Sequence, residues 1–168
     1  MILYLNRLHK FAVFDVSAAK VVQYLPATDD FLLTASADTL IAVLPGKKVM
    51  ERWNLQTFEK EEPASLSVDF PIARIAVGNN SVRPLLLWAE NNGGGGALVD
   101  LATLKKTPVD GAGIPGGSRP YVVHVEAAPD GSAFTFWTRR QPNVIPQLSI
   151  FLQQDFLIIG KCMQSWID

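Results

Sequence analysis

A short pattern that occurs three times constrains the fold of this chain more than any other feature of its sequence. Each copy has an apolar residue, an Asp or Asn, a second apolar residue, a short turn and then a lysine. The copies contain Asp15, Asn54 and Asp100, which lie 39 and 46 residues apart. Self-similarity with a period of about 20–50 residues is the signature of a chain built from stacked repeats.

The residue types in this pattern indicate a turn between two strands. Asp or Asn at the end of a strand accepts hydrogen bonds from backbone amides two residues further on, which sets the turn. We therefore assign the three residues a structural rather than a catalytic role. Lys20, Lys60 and Lys106 then stand at the start of an outer strand, where a charge discourages edge-to-edge pairing.

The segments around the pattern predict strands in a fixed order. The third unit has strands at 72–77, 84–90, 97–101 and 105–109, a turn at 78–81 and a glycine-rich loop at 91–96. The fourth unit has strands at 120–125, 133–138, 147–152 and 156–159 and a turn at 128–131. Trp88 and Trp137 fall at the same place in these two units, 49 residues apart, and no segment predicts a helix.

The two N-terminal units are shorter. The second has strands at 31–37, 39–44 and 49–55, and the first has strands at 2–5, 11–16 and 20–25. The first unit therefore lacks its innermost strand.

The repeat and the turn Ala128-Pro129-Asp130-Gly131 before a strand resemble the WD-repeat and YVTN-type β-propeller superfamily, across nearly the whole chain. Trp53-Asn54 is the nearest approach to Trp-Asp and the Gly-His dipeptide is absent, as in a divergent, bacterial-type propeller. The resemblance implies an all-β single domain of about four four-stranded antiparallel blades, the first incomplete. The blades expected are 1–27, 28–66, 67–112 and 113–162, with a tail at 163–168.

Three ways of closing such a ring are open. The segment 162–167 supplies the missing inner strand, or two chains combine into one ring, or the chain is a fragment of a larger propeller. We favour a fragment or an assembled ring, because rings of four blades are at the lower limit for propellers. The uncovered terminal blades predict self-association or additional blades.

Composition narrows the function classes. Charged residues make up 18% of the chain, below the roughly 25% of typical soluble domains, and the net charge is −1. This balance argues against a nucleic-acid or anionic-membrane binder, which would carry a basic stripe. No segment has the pattern of a signal peptide or a membrane helix, so a soluble protein is expected. The lone Cys162 forms no internal disulfide and favours a reducing compartment such as the cytoplasm.

Few residues suggest chemistry. His9 and His124 are too few for a histidine metal cluster, and no phosphate-binding motif is present. We expect His9 to be exposed in a turn and His124 to be a core histidine with satisfied hydrogen bonds. The sequence thus predicts no catalytic residue, no metal and no cofactor.

The fourth unit carries the strongest candidate binding feature. The loop 139–146 combines Arg139 and Arg140 with two prolines directly after Trp137, and Arg and aromatic residues are enriched at binding hot spots. With His124, these three residues are the predicted binding residues, and the connection 109–119 is a second candidate.

The function predicted is a non-catalytic interaction scaffold that presents propeller loops to a protein or peptide partner. Two alternatives are a propeller-type enzyme and a structural assembly subunit. The enzyme would be a lactonase-like hydrolase or a quinone-dependent dehydrogenase domain. Such an enzyme would need polar groups that converge on a central channel, and the candidates for these groups are Asp29, Asp30, Arg74 and His124.

Overall fold

The protein is described by a computed structural model that covers residues 1–80, 84–89, 95–110, 121–139 and 147–152. In these ranges the chain is all-β, as predicted, and its one helical element is a 3₁₀ turn at Asn6–Leu8. No helix there has the length and hydropathy needed to cross a membrane. The strands are β1 (Ile2–Leu5), β2 (Lys10–Asp15), β3 (Lys20–Pro26), β4 (Leu32–Ala35), β5 (Thr39–Leu44), β6 (Val49–Asn54), β7 (Ala64–Ser65), β8 (Ile72–Ala76), β9 (Leu85–Ala89), β10 (Gly95–Val99), β11 (Lys106–Asp110), β12 (Tyr121–Ala127), β13 (Ala133–Arg139) and β14 (Gln147–Leu152).

The strands form four antiparallel sheets in which neighbours along the chain are neighbours in space. The first sheet contains β1–β3, the second β4–β7, the third β8–β11 and the fourth, within the described ranges, β12–β14. β2 and β6 end at equivalent repeat residues, Asp15 and Asn54, so they are equivalent strands. The strands that precede them, β1 and β5, therefore correspond to each other. The first sheet therefore has no described counterpart of β4, as the repeat predicts. The strands β4, β8 and β12 contact one another in series and form the inner side of the stack.

The second strand of each four-stranded sheet is apolar along most of its length because both of its faces are covered. In β5, Leu40 and Ala42 pack toward the first sheet, whereas Ile41 and Val43 pack toward the third. The Leu-Leu-Leu-Trp run of β9 is divided in the same way between the second and fourth sheets. Alternate side chains of a strand point to opposite faces, so a continuous apolar run fits a strand between two neighbours.

Three hydrophobic cores lie between successive sheets. Their centres include Phe11, Leu40 and Trp53 between the first and second sheets, Ile41, Met50 and Leu87 between the second and third, and Leu86, Trp88 and Phe136 between the third and fourth. Full burial of one such side chain contributes about 1.5–3 kcal/mol. The sheets are thus held face to face by apolar burial, which is the predicted arrangement of propeller blades.

The three Asp or Asn residues of the repeat set identical turns. In each turn the side-chain Oδ1 accepts hydrogen bonds from the backbone amides two and three residues further on. The donors are Ser17 and Ala18 for Asp15, Gln56 and Thr57 for Asn54, and Ala102 and Thr103 for Asp100, at 2.7–3.0 Å. The structural role predicted for these residues is confirmed.

Each of these turns also contains a left-handed residue that the sequence does not announce. It stands four positions after the Asp or Asn, and it is Ala19, Phe58 or Leu104, with φ of 49°, 62° and 58°. The left-handed conformation costs a residue with a Cβ atom about 1–2 kcal/mol. No glycine marks these positions, so the hydrogen bonds of the turn must offset that cost.

The prediction for the repeat lysines is right in two of three cases. Lys20 and Lys106 begin β3 and β11, as expected. Lys60 forms only an isolated bridge with Trp53, and the outer strand β7 begins at Ala64. The Lys60 ammonium lies 2.9 Å from Glu51 Oε1 and 5.1 Å from the centre of the Trp53 ring, so it covers the edge of the first core instead.

The glycine run 93–96 was expected to be a loop, and for its second half this is wrong. Gly95 and Gly96 belong to β10, where Gly96 pairs with Trp88 of β9. A Cβ atom at Gly96 would collide with the backbone oxygen of Leu87 and lie 3.0 Å from Trp88 Cε3. The glycine is therefore needed in the strand because the Leu87 backbone and the Trp88 indole leave no room for a side chain.

Candidate interaction surface

The alternating strand directions give the stack two different edges. The turns β1–β2 and β5–β6 and the connections from one sheet to the next leave from one edge, which we call the loop edge. The turns that begin at Asp15, Asn54 and Asp100 lie at the opposite edge, which we call the hairpin edge. Both candidate binding segments, 109–119 and 139–146, begin at the loop edge, where β11 and β13 end, and loops on a fixed scaffold are where binding residues concentrate.

The predicted binding residues lie on the fourth sheet or beyond it. Trp137 and Arg139 are on β13, close to the loop edge, with only their backbone positions described. Trp137 pairs with His124 as Trp88 pairs with Arg74, each next to a β-bulge, which confirms that the two tryptophans are equivalent. Arg140 and the loop to residue 146 lie outside the described residues, and so do residues 111–119 of the second candidate connection.

His124 is not the core histidine that was expected. Its side chain is 57% exposed, and its Nε2 lies 3.0 Å from Glu126 Oε1 on the same strand. The buried residue of this part of β12 is Val125, which packs toward the third sheet. By strand alternation His124 and Glu126 fall on the opposite face, where they form an exposed polar pair.

A second polar cluster lies at the loop edge of the first sheet. His9 occupies the β1–β2 turn with φ of 47°, and its side chain is exposed, as predicted. Its Nδ1 is 2.9 Å from Asp29 Oδ1, and the Tyr4 hydroxyl donates to the same oxygen over 3.5 Å. Burial raises the pKa of Tyr4, and the Asp29 charge and hydrogen bond raise it further. Sequence analysis missed this cluster because its members are up to 25 residues apart.

Three of the four residues considered for an enzyme channel have separate local partners. Asp29 pairs with His9, His124 pairs with Glu126, and Arg74 Nη1 donates to the backbone oxygen of Ala73. Over the described residues, no group of three or more His, Cys, Asp or Glu side chains could hold a metal ion. Cys162 lies outside these ranges.

Polar bonds between sheets add to the apolar cores. The Arg52 guanidinium, 19% exposed, donates through Nη1 to the backbone oxygen of Leu101 in the third sheet over 2.6 Å. Its Nη2 lies 2.7 Å from Glu61 Oε2 of its own sheet. One side chain thus fixes the Asp100 turn of the third sheet to the second sheet.

The third and fourth sheets are joined at the hairpin edge in a similar way. The Asn80 amide donates to the backbone oxygen of Pro129 over 2.8 Å. A Cβ atom at Gly78 would lie only 2.5 Å from the Gly131 nitrogen, so the two turns are in backbone contact. The contacts of Arg52 and Asn80 thus fix the second, third and fourth sheets relative to one another.

Comparison with known proteins identifies the fold. No protein-family model and no curated protein matches the sequence. The Cps50 (Swd1) β-propeller domain of Myceliophteria thermophila matches with a TM-score of 0.61 and 11% identity, over 95% of this chain and 53% of that one. The complex of KlAtg21 with the coiled-coil of AgAtg16 matches with a TM-score of 0.60 and 8% identity, over 86% of this chain and 44% of that one.

Part of one enzyme chain has a similar fold. Kuenenia stuttgartiensis hydrazine synthase matches with a TM-score of 0.58 and 14% identity, over 91% of this chain and 47% of that one. At such identities the likeness shows the fold alone. The β-propeller fold is therefore confirmed, and this chain spans about half the length of the chains that it matches.

Proposed function

We propose that this chain is a non-catalytic interaction scaffold that binds a protein or peptide partner at its loop edge. The observation that carries the proposal is the way the sheets are fixed. Three apolar cores and the polar bonds of Arg52 and Asn80 hold the sheets to one another. A frame held in this way positions loops for binding at little entropic cost, while the loop sequences remain free to vary.

The chemistry of the polar clusters supports binding over catalysis. The pairs His9–Asp29 and His124–Glu126 both have side chains that are more than half exposed. General acids and bases work best in sites that exclude water and shift their pKa values. Exposed pairs of this kind are suited to hydrogen bonds with a partner.

The partner-binding residues that we propose are Trp137, Arg139, Arg140 and His124. Arginine and tryptophan bury much area and are enriched at binding hot spots. A solved propeller of the same fold is in complex with a coiled-coil, which supports a protein segment as the kind of partner.

A random-peptide phage library selected against the full chain tests this function. Binding of the selected peptides is then measured by calorimetry for the wild type and for the double variant Arg139→Ala/Arg140→Ala. We expect at least about 10-fold weaker binding, which corresponds to about 1.4 kcal/mol. Lys105→Ala, which removes an exposed cation at the hairpin edge, is the control and should bind as the wild type does. If the selected peptides bind the wild type and the double variant with equal affinity, the proposal is contradicted.

A further inference from the structure

The outer strand of the first sheet, β3, presents a free edge that we call the β3 rim. β3 pairs with β2 on one side and, among the described residues, with no strand on the other. The outer strands β7 and β11 are in the same position, although both faces of their sheets are covered. Whether this edge is free therefore does not depend on what packs on the faces of the sheet.

β3 differs from the other two outer strands in length and composition. β7 has two residues, and β11 has five residues with Pro108, which lacks a backbone N–H, at its centre. Short length, proline and charge are the means by which natural edge strands avoid pairing with a further strand. β3 has seven residues and carries such protection only at its ends, with Lys20 and Pro26. Its middle is therefore competent to pair.

The strand register shows which backbone groups of β3 point outward. Ala27 donates a backbone hydrogen bond to His9, so these two residues form a hydrogen-bonded pair. Such pairs alternate with non-hydrogen-bonded pairs along an antiparallel ladder. Three positions further along this register, Tyr24 lies opposite Ala12 in a non-hydrogen-bonded pair. The N–H and C=O of Tyr24 consequently point away from β2, toward the rim.

The β3 rim is accessible on the side that the second sheet covers. Leu25 is buried there against the second sheet. Gln23 points to the same side, because it lies two positions earlier in the strand, and yet it is exposed, like all of residues 20–24. β3 therefore extends beyond the second sheet, and an added strand has room at the rim.

Lysines lie at both ends of the rim. Lys20 begins β3, and Lys10 pairs with Pro26 at its other end, with Nζ 5.8 Å from the centre of the Tyr24 ring. Within the described part of the chain, neither lysine takes part in an ion pair. The nearby Asp15 uses its Oδ1 to hold the repeat turn. The rim is therefore complementary to a strand with negative charges at its ends.

We propose that β3 binds an extended acidic segment of a partner protein as an added strand. The segment pairs with the outward N–H and C=O of Tyr24, and its carboxylates lie beside Lys10 and Lys20. In this mode the backbone hydrogen bonds supply affinity and the side chains supply specificity. A second copy of this chain fits less well, because β3 paired with β3 would bring lysines of the two copies together. The inference does not rest on the proposed function, whose binding residues lie on the fourth sheet or beyond it.

Calorimetry with the synthetic peptide acetyl-Glu-Glu-Val-Thr-Val-Thr-Val-Glu-Glu-amide tests the proposal on the full chain. Tyr24→Pro removes the outward N–H, and proline is tolerated on an edge strand at such a position. Tyr24→Ala is the matched control, because it removes the ring and keeps the N–H. We expect the proline variant to bind at least about 10-fold more weakly than the alanine variant.

Methylation of the peptide backbone tests the same hydrogen bonds without changing the protein, and it decides the matter if circular dichroism shows that Tyr24→Pro does not fold. One peptide is N-methylated at its valines and another at its threonines. Because alternate N–H groups of a strand face the same neighbour, one of the two peptides should lose binding and the other should keep it. Equal binding by both would overturn the proposal.

Charge variants test the acidic character of the partner. Lys10→Glu/Lys20→Glu should bind the peptide at least about 10-fold more weakly. Lys105→Glu, at an exposed lysine of the third sheet, and Arg139→Ala/Arg140→Ala should bind as the wild type does. Loss of binding in the arginine variant would place the peptide at the loop edge and overturn the inference while leaving the proposed function intact.

Three further outcomes would overturn the proposal. The first is a wild type that does not bind the peptide at about 1 mM, the weak end of specific recognition. The second is equal binding by Tyr24→Pro and Tyr24→Ala. The third is a wild-type dimer in sedimentation velocity that Tyr24→Pro dissociates, which would make a second copy the occupant of the rim.

Discussion

The indole of Trp88 in the third sheet packs against the ring of Phe136 in the fourth, with ring centres 4.6 Å apart and planes inclined by 58°. The two side chains are 1% and 0% exposed. An aromatic pair in such an inclined geometry contributes about 0.5–1.5 kcal/mol beyond the area that it buries. This contact is the centre of the core that attaches the fourth sheet, which carries the proposed binding residues.

Removing the indole should therefore destabilise the chain strongly. We expect Trp88→Ala to lower the free energy of unfolding by about 3–5 kcal/mol, the usual cost of a large-to-small change at a buried aromatic. Urea unfolding followed by circular dichroism measures it. Leu8→Ala, at an exposed position, should change stability by no more than about 0.5 kcal/mol. A loss as small as that for Trp88→Ala would mean that the third and fourth sheets do not pack through this pair.

The repeat turns should depend on a side-chain acceptor and not on a charge. Asp100 Oδ1 accepts two backbone hydrogen bonds and one from the Thr103 hydroxyl, at 2.8–3.0 Å. Asp100→Ala leaves these donors without this acceptor, so we expect a loss of about 1–2 kcal/mol in thermal or urea unfolding. Asp100→Asn keeps the acceptor, as Asn54 does in the second sheet, and should lie close to the wild type. Equal losses for both variants would show that the charge matters instead.

These turns were predictable because their chemistry is local. The Asp or Asn and its amide donors lie within three residues, so the sequence contains the whole hydrogen-bonding unit. The continuous apolar runs of β5 and β9 are local in the same sense. Both predict strands without any knowledge of the neighbouring sheet.

The environment of a residue between sheets could not be predicted in this way. His124 was expected in the core because its strand is apolar. Successive side chains of a strand point to opposite faces, so a shift of one residue decides whether His124 or Val125 faces the third sheet. That the terminal blades are uncovered was expected from the repeat. Which side chains are exposed there was not, because Leu3 and Tyr24 have apolar types that suit a covered position and only the arrangement of the sheets shows that nothing described covers them.

Gly96 provides a test of packing at a single atom. Gly96→Ala would bring a methyl group onto the Leu87 backbone oxygen and the Trp88 ring, so we expect a loss of about 1–3 kcal/mol. Gly46→Ala is the matched control, since a Cβ atom there meets nothing within 4 Å. The control should be neutral or slightly stabilising, because alanine restricts the unfolded chain. Equal effects at the two glycines would mean that β10 does not lie under Trp88.

The turn between β12 and β13 should make stability depend on pH. Hydrogen bonds from the hydroxyl and the amide of Ser132, at 2.7 and 3.0 Å, lower the pKa of Asp130 in the folded chain. Ionisation of Asp130 therefore stabilises the folded state relative to the unfolded state, in which the pKa of an Asp is about 3.9. The resulting stabilisation is fully present above that value and is lost as the pH falls through the lower pKa of the folded state.

Asp130→Asn removes the titrating group, and Ser132→Ala removes the hydroxyl bond that is the largest cause of the lowered pKa. We expect both variants to lose less stability than the wild type between about pH 5 and pH 2, as measured by urea unfolding at each pH. The stabilisation that the wild type gains from its ionised Asp130 should disappear at the acid end, because Asp130 is then protonated in both the folded and the unfolded state. Parallel curves for all three proteins would show that other carboxylates set the acid sensitivity. The hydrogen bonds from Ser132 to Asp130 would then hold the turn at 128–131 without contributing to the acid sensitivity.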